Sequence, residues 1–338
     1  MSKSEFIFDQ IFNVDLNNEN LNKNLPNKRI EVNDFIYTQL NKKYTENFPP
    51  IPCVYDSERD MLSYALNIDP YLALKAPFHF IYLRDNVKEI GNISFSARYN
   101  HPSNYSDPYF IFSTGRCGST LLSKILQCFD VISISEPDFY NQLIHQYVNL
   151  KIRTEISLLK FQQIYSMMTA DLLMPFNYQR AFLKLSSNCN YFPSLVLSCC
   201  REKPKVIFLI RNFISWTNSR KKTFETNLQS DYSDYIKALE TFLYLKENCN
   251  ALLIKYEDIC SNVESVKNEL CNFFSIEIKD QELLDLVLTQ DAQKDSKISM
   301  ENIKKKNISD RNSNEMERFW EAHRPEELIK KLDLLDYI

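Results

Sequence analysis

The residues best placed to do chemistry fall in one stretch, residues 109–126, which reads YFIFSTGRCGSTLLSKIL. An apolar run at 109–112 gives way to Ser113-Thr114-Gly115-Arg116-Cys117-Gly118-Ser119-Thr120. A helical pattern follows through Leu121, Leu122, Ile125 and Leu126. The chain holds three glycines, where average usage of about 7% would place roughly two dozen, and Gly115 and Gly118 both fall in this loop. Glycine reaches φ > 0 at no steric cost and lets a ligand approach the backbone closely. A strand, a glycine turn and a helix N-terminus set several N–H groups around a concavity that suits a phosphate-like anion. The other reading of the pattern is an ordinary strand-to-helix turn.

The loop departs from the triphosphate-binding pattern G-x-x-x-x-G-K-[ST]. With Gly118 as the second glycine, Ser113 stands where the first belongs and Ser119 where the lysine belongs, and beyond Gly118 only Thr120 agrees. The cation is Arg116, inside the loop. Without the lysine that reaches the β- and γ-phosphates, triphosphate hydrolysis loses a main source of charge stabilisation. The loop suits an anion other than ATP.

The elements that must position this loop follow from the apolar pattern. Short runs rich in β-branched and aromatic residues at 109–113, 131–134, 181–185, 206–210 and 252–256 read as strands. Helical stretches separate or follow them at 118–129, 139–173, 190–201, 213–224 and 231–248. This alternation predicts an α/β fold, a parallel sheet of about five strands covered by helices on both faces. Ligands of such sheets bind at the carboxyl ends of the strands, and Glu136, Lys184, Arg211 and Tyr256 all fall at or near such ends. Ahead of the sheet, residues 1–50 are polar and Asn-rich, an arm or a helical appendage, with Pro49, Pro50 and Pro52 as a break. Residues 57–66 read as a helix, 79–99 as two strands around a polar turn, and 100–104 as a polar separator. The expected division is an α+β extension over 1–105, shaping a ligand pocket, and a core domain over 106–338.

Composition narrows the classes. At 338 residues, 44% hydrophobic and 25% charged, the chain has the make-up of a soluble globular protein. A formal net charge of −4 argues against nucleic acid as a general partner. The first twenty residues lack a signal-peptide core, and no apolar run approaches the ~18 residues of a membrane span. Nine cysteines with no C-x-x-C pair read as reduced, mostly buried thiols of a cytoplasmic protein. Cys117, beside Arg116 and a helix N-terminus, reads as a packing residue first and a reactive thiol second.

The segment TGRCGSTLL resembles the 5′-phosphosulfate loop of the sulfotransferases, which often reads R-[S/C]-G-[S/T]-T-L. The resemblance spans about residues 108–260 and implies a P-loop-like fold. It also implies transfer of a sulfonate from 3′-phosphoadenosine 5′-phosphosulfate, as donor substrate, with no metal. On it, Arg116, Cys117, Gly118, Ser119 and Thr120 hold the 5′-phosphosulfate. Glu136, 20 residues after Arg116, stands near the offset of the catalytic base in the tyrosylprotein branch. A partly buried carboxylate there can take the acceptor's proton, whereas the alternative role is an acidic residue at the start of a helix near Asp138. His145 is the reserve base. Lys184 matches a strand lysine that contacts the sulfonate, or else is an edge-strand lysine facing solvent.

In VIFLIRNFISWTNSRKKTF, Arg211 and Ser219, eight residues apart, match the family's 3′-phosphate pair; an arginine fork with a hydroxyl suits a phosphate monoester. Trp216 reads as a packing residue before an adenine-stacking one. Tyr256-Glu257-Asp258 resembles a family element whose tyrosine contacts the donor, and also reads as a plain helix start. Ser296, Lys304, Lys305, Lys306 and Arg311 are candidates for a segment closing over the 3′-phosphate. The resemblance implies a transferase acting on a hydroxyl or amine of a small-molecule acceptor. A non-catalytic nucleotide-binding module and a P-loop small-molecule kinase are the alternatives. Aromatic residues in 1–100 and 139–180 suit an apolar or aromatic acceptor, or are plain core.

Overall fold

Backbone pairing sorts the chain into two sheets. The computed structural model describes residues 29–32, 48–57, 59–99, 107–149, 155–177, 180–293, 299–305, 310–335 and 337. Four strands form the smaller sheet: β1 (Arg29–Val32), β2 (Ile51–Asp56), β3 (Met61–Leu66) and β4 (Glu89–Ser94), in the order β1-β4-β3-β2. β1 runs parallel to β4, and the other pairs are antiparallel. Helices α1 (Pro70–Lys75), α2 (His79–Asn86) and α3 (Phe95–Tyr99) lie between and after these strands.

Two expectations for this region are corrected. The expected helix at 57–66 is strand β3, which buries five consecutive residues between β2 and β4. A strand buried on both faces shows no alternation to distinguish it from a helix. The expected hairpin at 79–99 is α2, β4 and α3; His79 and Leu83 turn inward one helical turn apart, and their burial overrides local β-propensity. Apart from β1 and residues 48–50, the Asn-rich opening lies outside the described residues, as does the polar run at 100–104.

The larger sheet is parallel and has the expected five strands: β5 (Tyr109–Ser113), β6 (Ile132–Ser135), β7 (Ala181–Lys184), β8 (Lys205–Ile210) and β9 (Asn250–Lys255). Their order is β6-β7-β5-β8-β9. The helices are α4 (Ser119–Leu126), α5 (Asp138–Asn149), α6 (Glu155–Leu173), α7 (Pro193–Leu197), α8 (Phe213–Phe224), α9 (Leu228–Asn248), α10 (Tyr256–Ser261), α11 (Val263–Phe274) and α12 (Gln281–Thr289). Shorter C-terminal helices α13 (Met300–Lys305), α14 (Ser313–His323) and α15 (Glu326–Lys331) follow.

Strand residues alternate between two cores. Ile111, Phe182, Ile207, Leu209 and Ile254 join Leu122 of α4, Leu270 of α11 and Leu284 of α12. Phe110, Phe112, Leu183, Val206 and Phe208 face the other way, with Leu143 of α5, Ile164 of α6 and Leu239 of α9. Both faces of the sheet are therefore covered, as continuous apolar strands require. The stretch at 139–173 is two helices. The stretch at 190–201 is a 3₁₀ turn, Ser187–Tyr191, then α7, because Pro193 lacks an N–H and starts a new helix. No described helix is long and apolar enough to cross a membrane.

The small sheet shares its core with α5 and α6. A buried polar junction adds to the contact: Asp171 of α6 accepts hydrogen bonds from Arg98 (2.6 and 3.0 Å) and from the Tyr64 hydroxyl (2.7 Å). His79 sits in the same part of the chain, and its Nδ1 has no hydrogen-bond partner among the described residues. Burial lowers its pKa from 6.5 to about 4. The folded chain therefore keeps His79 neutral where the unfolded chain takes up a proton, so this group makes stability fall as pH drops from about 6.5 to 4. The expected slope approaches about 1.4 kcal/mol per pH unit. Urea unfolding of wild type and His79→Leu should give a stability difference that changes by roughly 3 kcal/mol between pH 7 and pH 4. A difference that stays constant with pH would refute this assignment.

Candidate active site

The loop between β5 and α4 takes the backbone shape its glycines suggested. Gly115, Arg116 and Gly118 have φ of +70°, +50° and +83°. A non-glycine residue held in the left-handed region is strained, and such strain gathers at functional sites. Replacing Gly118 is costly for a second reason: a Cβ there would lie 2.4 Å from Cδ2 of the Tyr256 ring. Trp216 of α8 is fully buried beneath the loop, and its Nε1 donates to the carbonyls of Thr114 (3.2 Å) and Gly115 (2.5 Å). The indole is a strut for the loop. Cys117 is buried, its thiol donates to the Leu209 carbonyl at 3.5 Å, and burial pushes its pKa up. The second reading of Cys117, a reactive thiol, is thereby set aside. Ser119 and Thr120, both buried, open α4.

Two guanidinium groups meet at this loop. Arg211, just past β8, donates from Nη1 to the Arg116 carbonyl at 3.5 Å and lies 4.5 Å over the Tyr256 ring. Arg116 donates from Nη1 to Oε1 of Gln293 at 2.5 Å. The Nε atoms of both arginines are buried with no hydrogen-bond partner, and neither arginine makes an ion pair among the described residues. Burial and the charge of Arg211 lower the pKa of Arg116. Like charges brought together with unsatisfied donors call for an anion.

On the other side of the loop, Glu136 and Lys184 end the neighbouring strands β6 and β7 and form an ion pair. Lys184 is 3% exposed and Glu136 19%. Since β7 lies between β6 and β5, Lys184 is on an interior strand, and the edge-lysine alternative is excluded. The Glu136 N–H donates to the Lys184 carbonyl at 2.7 Å, and its φ of +56° is a second left-handed non-glycine. The Lys184 ammonium lies 5.2 Å over the ring of Phe78, which precedes α2. His145, on α5, is half-buried with its pKa lowered by burial, and its Nε2 lies 3.5 Å from Nδ2 of Asn188. Asn188 Nδ2 and Ser186 Oγ both donate to Oδ1 of Asn141, at 2.9 and 3.2 Å.

The structure thus brings together Arg116 with Arg211 and Tyr256, and Glu136 with Lys184. Ser219 lies half-buried on α8, and among the described residues its hydroxyl makes no hydrogen bond to Arg211. Its neighbour Arg220 is paired with Asp231 and Asp234, each at 2.7 Å. Arg311 belongs to the same network, donating to Asp231 at 2.6 Å and to the Thr226 carbonyl at 2.5 Å. Lys304 is exposed, whereas Ser296, Lys306 and the Lys305 side chain lie outside the described residues. Gln293 and the Asn141–Asn188 contact carry no motif that would have marked them in advance.

The Gly118–Tyr256 contact is open to a double-mutant test. Gly118→Ala should destabilise by about 1–3 kcal/mol, from overpacking and from the positive φ. In a Tyr256→Ala background only the φ strain remains, on the order of 1 kcal/mol. Equal costs in the two backgrounds, measured by urea denaturation, would show that the ring is not what the added methyl meets.

The profile of the sulfotransferase domain family matches residues 106–335. Among solved structures, the sulfotransferase domain of the Synechococcus PCC 7002 olefin synthase is 18% identical, with 70% of this chain and 98% of that one covered and a TM-score of 0.45. The sulfotransferase domain from the curacin biosynthetic pathway is 16% identical (69% and 99% covered, TM-score 0.42). Mouse sulfotransferase SULT7A1, crystallised with PAP, is 12% identical (72% and 93% covered, TM-score 0.42). No curated protein sequence matches the chain. With its five-stranded parallel sheet, and with the family profile matched from just before the loop almost to the last residue, the chain belongs to the sulfotransferase family, enzymes that transfer sulfonate groups.

Proposed function

We propose that this chain moves a sulfonate from 3′-phosphoadenosine 5′-phosphosulfate to a hydroxyl or amine of a small-molecule acceptor by in-line displacement. The observation that carries the reading is the pair Arg116 and Arg211, two guanidinium groups at one loop whose buried Nε donors lack partners among the described residues. The donor set fits the donor substrate: two arginine forks and the N–H groups of the loop suit a molecule with phosphate and phosphosulfate groups. That donor supplies an activated sulfonate on a phosphate leaving group.

The loop N–H groups, with Arg116, Ser119 and Thr120, hold the 5′-phosphosulfate. Arg211 holds the 3′-phosphate, with Ser219 and Tyr256 as its neighbours in the site. Glu136 takes the proton of the acceptor. Lys184 and Arg116 steady the negative charge of the transferring group. The Lys184–Glu136 ion pair links the two tasks, because a buried ammonium must always face an anion. As Lys184 turns toward a bound anion, the Glu136 carboxylate is released to accept the acceptor's proton. Phe78, stacked by Lys184, supports a role for the N-terminal segment, the proposed unit over 1–105, in shaping the acceptor side. The nine cysteines are free thiols, most of them buried, which supports a reducing compartment, the cytoplasm.

Calorimetry with adenosine 3′,5′-bisphosphate, AMP and ATP tests the donor pocket. Binding should depend on the 3′-phosphate and weaken by roughly 10- to 100-fold in Arg211→Ala, the loss expected for charge-assisted hydrogen bonds worth about 1.5–3 kcal/mol. Equal affinity for ATP would favour a kinase instead. A separate experiment addresses the base. Glu136→Gln should retain bisphosphate binding while turnover drops by about 10²- to 10⁴-fold. Wild-type turnover in that variant would remove Glu136 from the role.

A further inference from the structure

A cavity of about 180 Å³ opens beside the loop, and of the phosphosulfate-loop segment only Thr114 lines it. Its walls come from Thr114 at the start of the loop, from the turn Ser187–Tyr191 that follows Lys184, and from helices α8 and α9. We propose that this cavity receives the acceptor, and that the acceptor is a neutral, hydroxyl-rich ring, a sugar or cyclitol. The proposal rests on the sulfonate-transfer reading above and adds the substrate class to it.

Position is the first argument. Ser187 packs against the loop so closely that a Cβ on Gly115 would lie 3.2 Å from it. Asn188, also in the wall, donates to Asn141 of α5, the helix that begins two residues after Glu136. The cavity thus takes one wall residue from the loop and several from the turn after Lys184, and that turn is hydrogen-bonded to the helix after Glu136.

Chemistry is the second. Asn190 is 3% exposed, and its Nδ2 donates to the Ser113 carbonyl at 2.8 Å, which fixes the orientation of the amide. That leaves Oδ1, on a residue of the cavity wall, as a buried acceptor with no hydrogen-bond partner among the described residues. A buried acceptor of this kind is costly unless a ligand donor completes it. The charged groups of the wall are already matched. Asp234 accepts from the Tyr191 hydroxyl (3.0 Å) and from Arg220 (2.7 Å), and Lys237 lies 3.3 Å from Glu240. A charged acceptor finds no unmatched opposite charge, whereas hydroxyls find amides and hydroxyls at Ser187, Asn188 and Asn190. Phe224, 55% exposed, adds one apolar surface on which the C–H face of a ring can rest.

In the transfer step, one ring hydroxyl oxygen forms a bond to sulfur as the bond from sulfur to the bridging phosphate oxygen breaks. The hydroxyl proton passes to Glu136, and adenosine 3′,5′-bisphosphate leaves.

Saturation-transfer NMR on the full chain, with and without adenosine 3′,5′-bisphosphate, tests the proposal with methyl glucoside and myo-inositol as probes. Cyclohexanol and 4-nitrophenol serve as rings without the hydroxyl array. Phe224 is exposed, so Phe224→Ala should fold normally; Phe224→Tyr keeps the ring. At least one polyol should bind while cyclohexanol and 4-nitrophenol do not. Its affinity should fall about tenfold in Phe224→Ala and persist in Phe224→Tyr, as expected for one aromatic anchor. Bisphosphate affinity, read separately by calorimetry, should be equal in all three proteins. Absence of polyol binding, or binding of cyclohexanol or 4-nitrophenol in its place, would overturn the assignment. Weaker bisphosphate binding in Phe224→Ala would do so too, by making the cavity part of the donor site. Failure of wild type to bind bisphosphate would count against the donor reading alone, since the probes are also run without it.

Discussion

Positive charge gathered at the carboxyl edge of the parallel sheet is the constraint around which the site is built. Arg116, Arg211 and Lys184 lie along that edge, and among the described residues the one carboxylate bonded to any of them is Glu136, on Lys184. Charge withdrawn from water without a partner is among the most costly arrangements a fold can hold. It persists here because neighbouring packing fixes the backbone around it. Trp216 holds two loop carbonyls from below, and the Tyr256 ring fills the space that Gly118 leaves open while its face meets Arg211. The three left-handed residues of the loop are stabilised by these contacts, and the unpaired donors remain for an anion to satisfy.

The N-terminal sheet is tied to that edge by polar contacts as well as by apolar packing. Arg84 of α2 pairs with Asp138 at the start of α5, at 2.6 Å, two residues beyond Glu136. Phe78 lies against the Lys184 ammonium, and Arg98 and Tyr64 converge on Asp171. A buried ion pair of the Arg98–Asp171 kind contributes little net stability over an apolar replacement. Loss of one partner, however, leaves a charge stranded. Such junctions fix relative placement, so the small sheet has one seating on α5 and α6, the helices that follow Glu136 in the chain.

Much of this was legible in the sequence, for reasons that can be named. Glycine is so scarce that two within four positions marked the loop, and a lysine inside AFLKL marked itself as unusual. The five parallel strands were legible because each is a short apolar run with a polar residue at its carboxyl end. β3 was not, because burial on both faces erases the alternation that identifies a strand. The helix at His79–Asn86 was hidden by its own β-propensity. The hydrogen bond from Arg116 to Gln293 joins residues far apart in the chain, and no local pattern encodes it. Spacing of eight residues between Arg211 and Ser219 put both near one strand end, yet it did not specify a contact, because side-chain direction along α8 decides that.

The aromatic residues show how composition and site chemistry part company. Phe139, Tyr140, Phe161 and Tyr165 on α5 and α6 are all buried in the core that joins the two sheets. Their polar ends are satisfied internally: the Tyr165 hydroxyl donates to the Tyr140 carbonyl at 2.9 Å, and the Tyr140 hydroxyl lies 2.6 Å from Thr169 Oγ1. These rings have structural work already and present no face to a ligand. The cavity beside the loop is lined instead by amides, hydroxyls and matched ions, with Phe224 as an exposed ring. A wall of that kind selects by hydrogen bonding. A ligand lacking the expected hydroxyl leaves the Asn190 amide oxygen buried and unpaired, a penalty that apolar contact does not offset. Aromatic abundance on α5 and α6 therefore reports how the two sheets are joined, and on the reading proposed above the acceptor is chosen by a few polar atoms in the turn that follows β7.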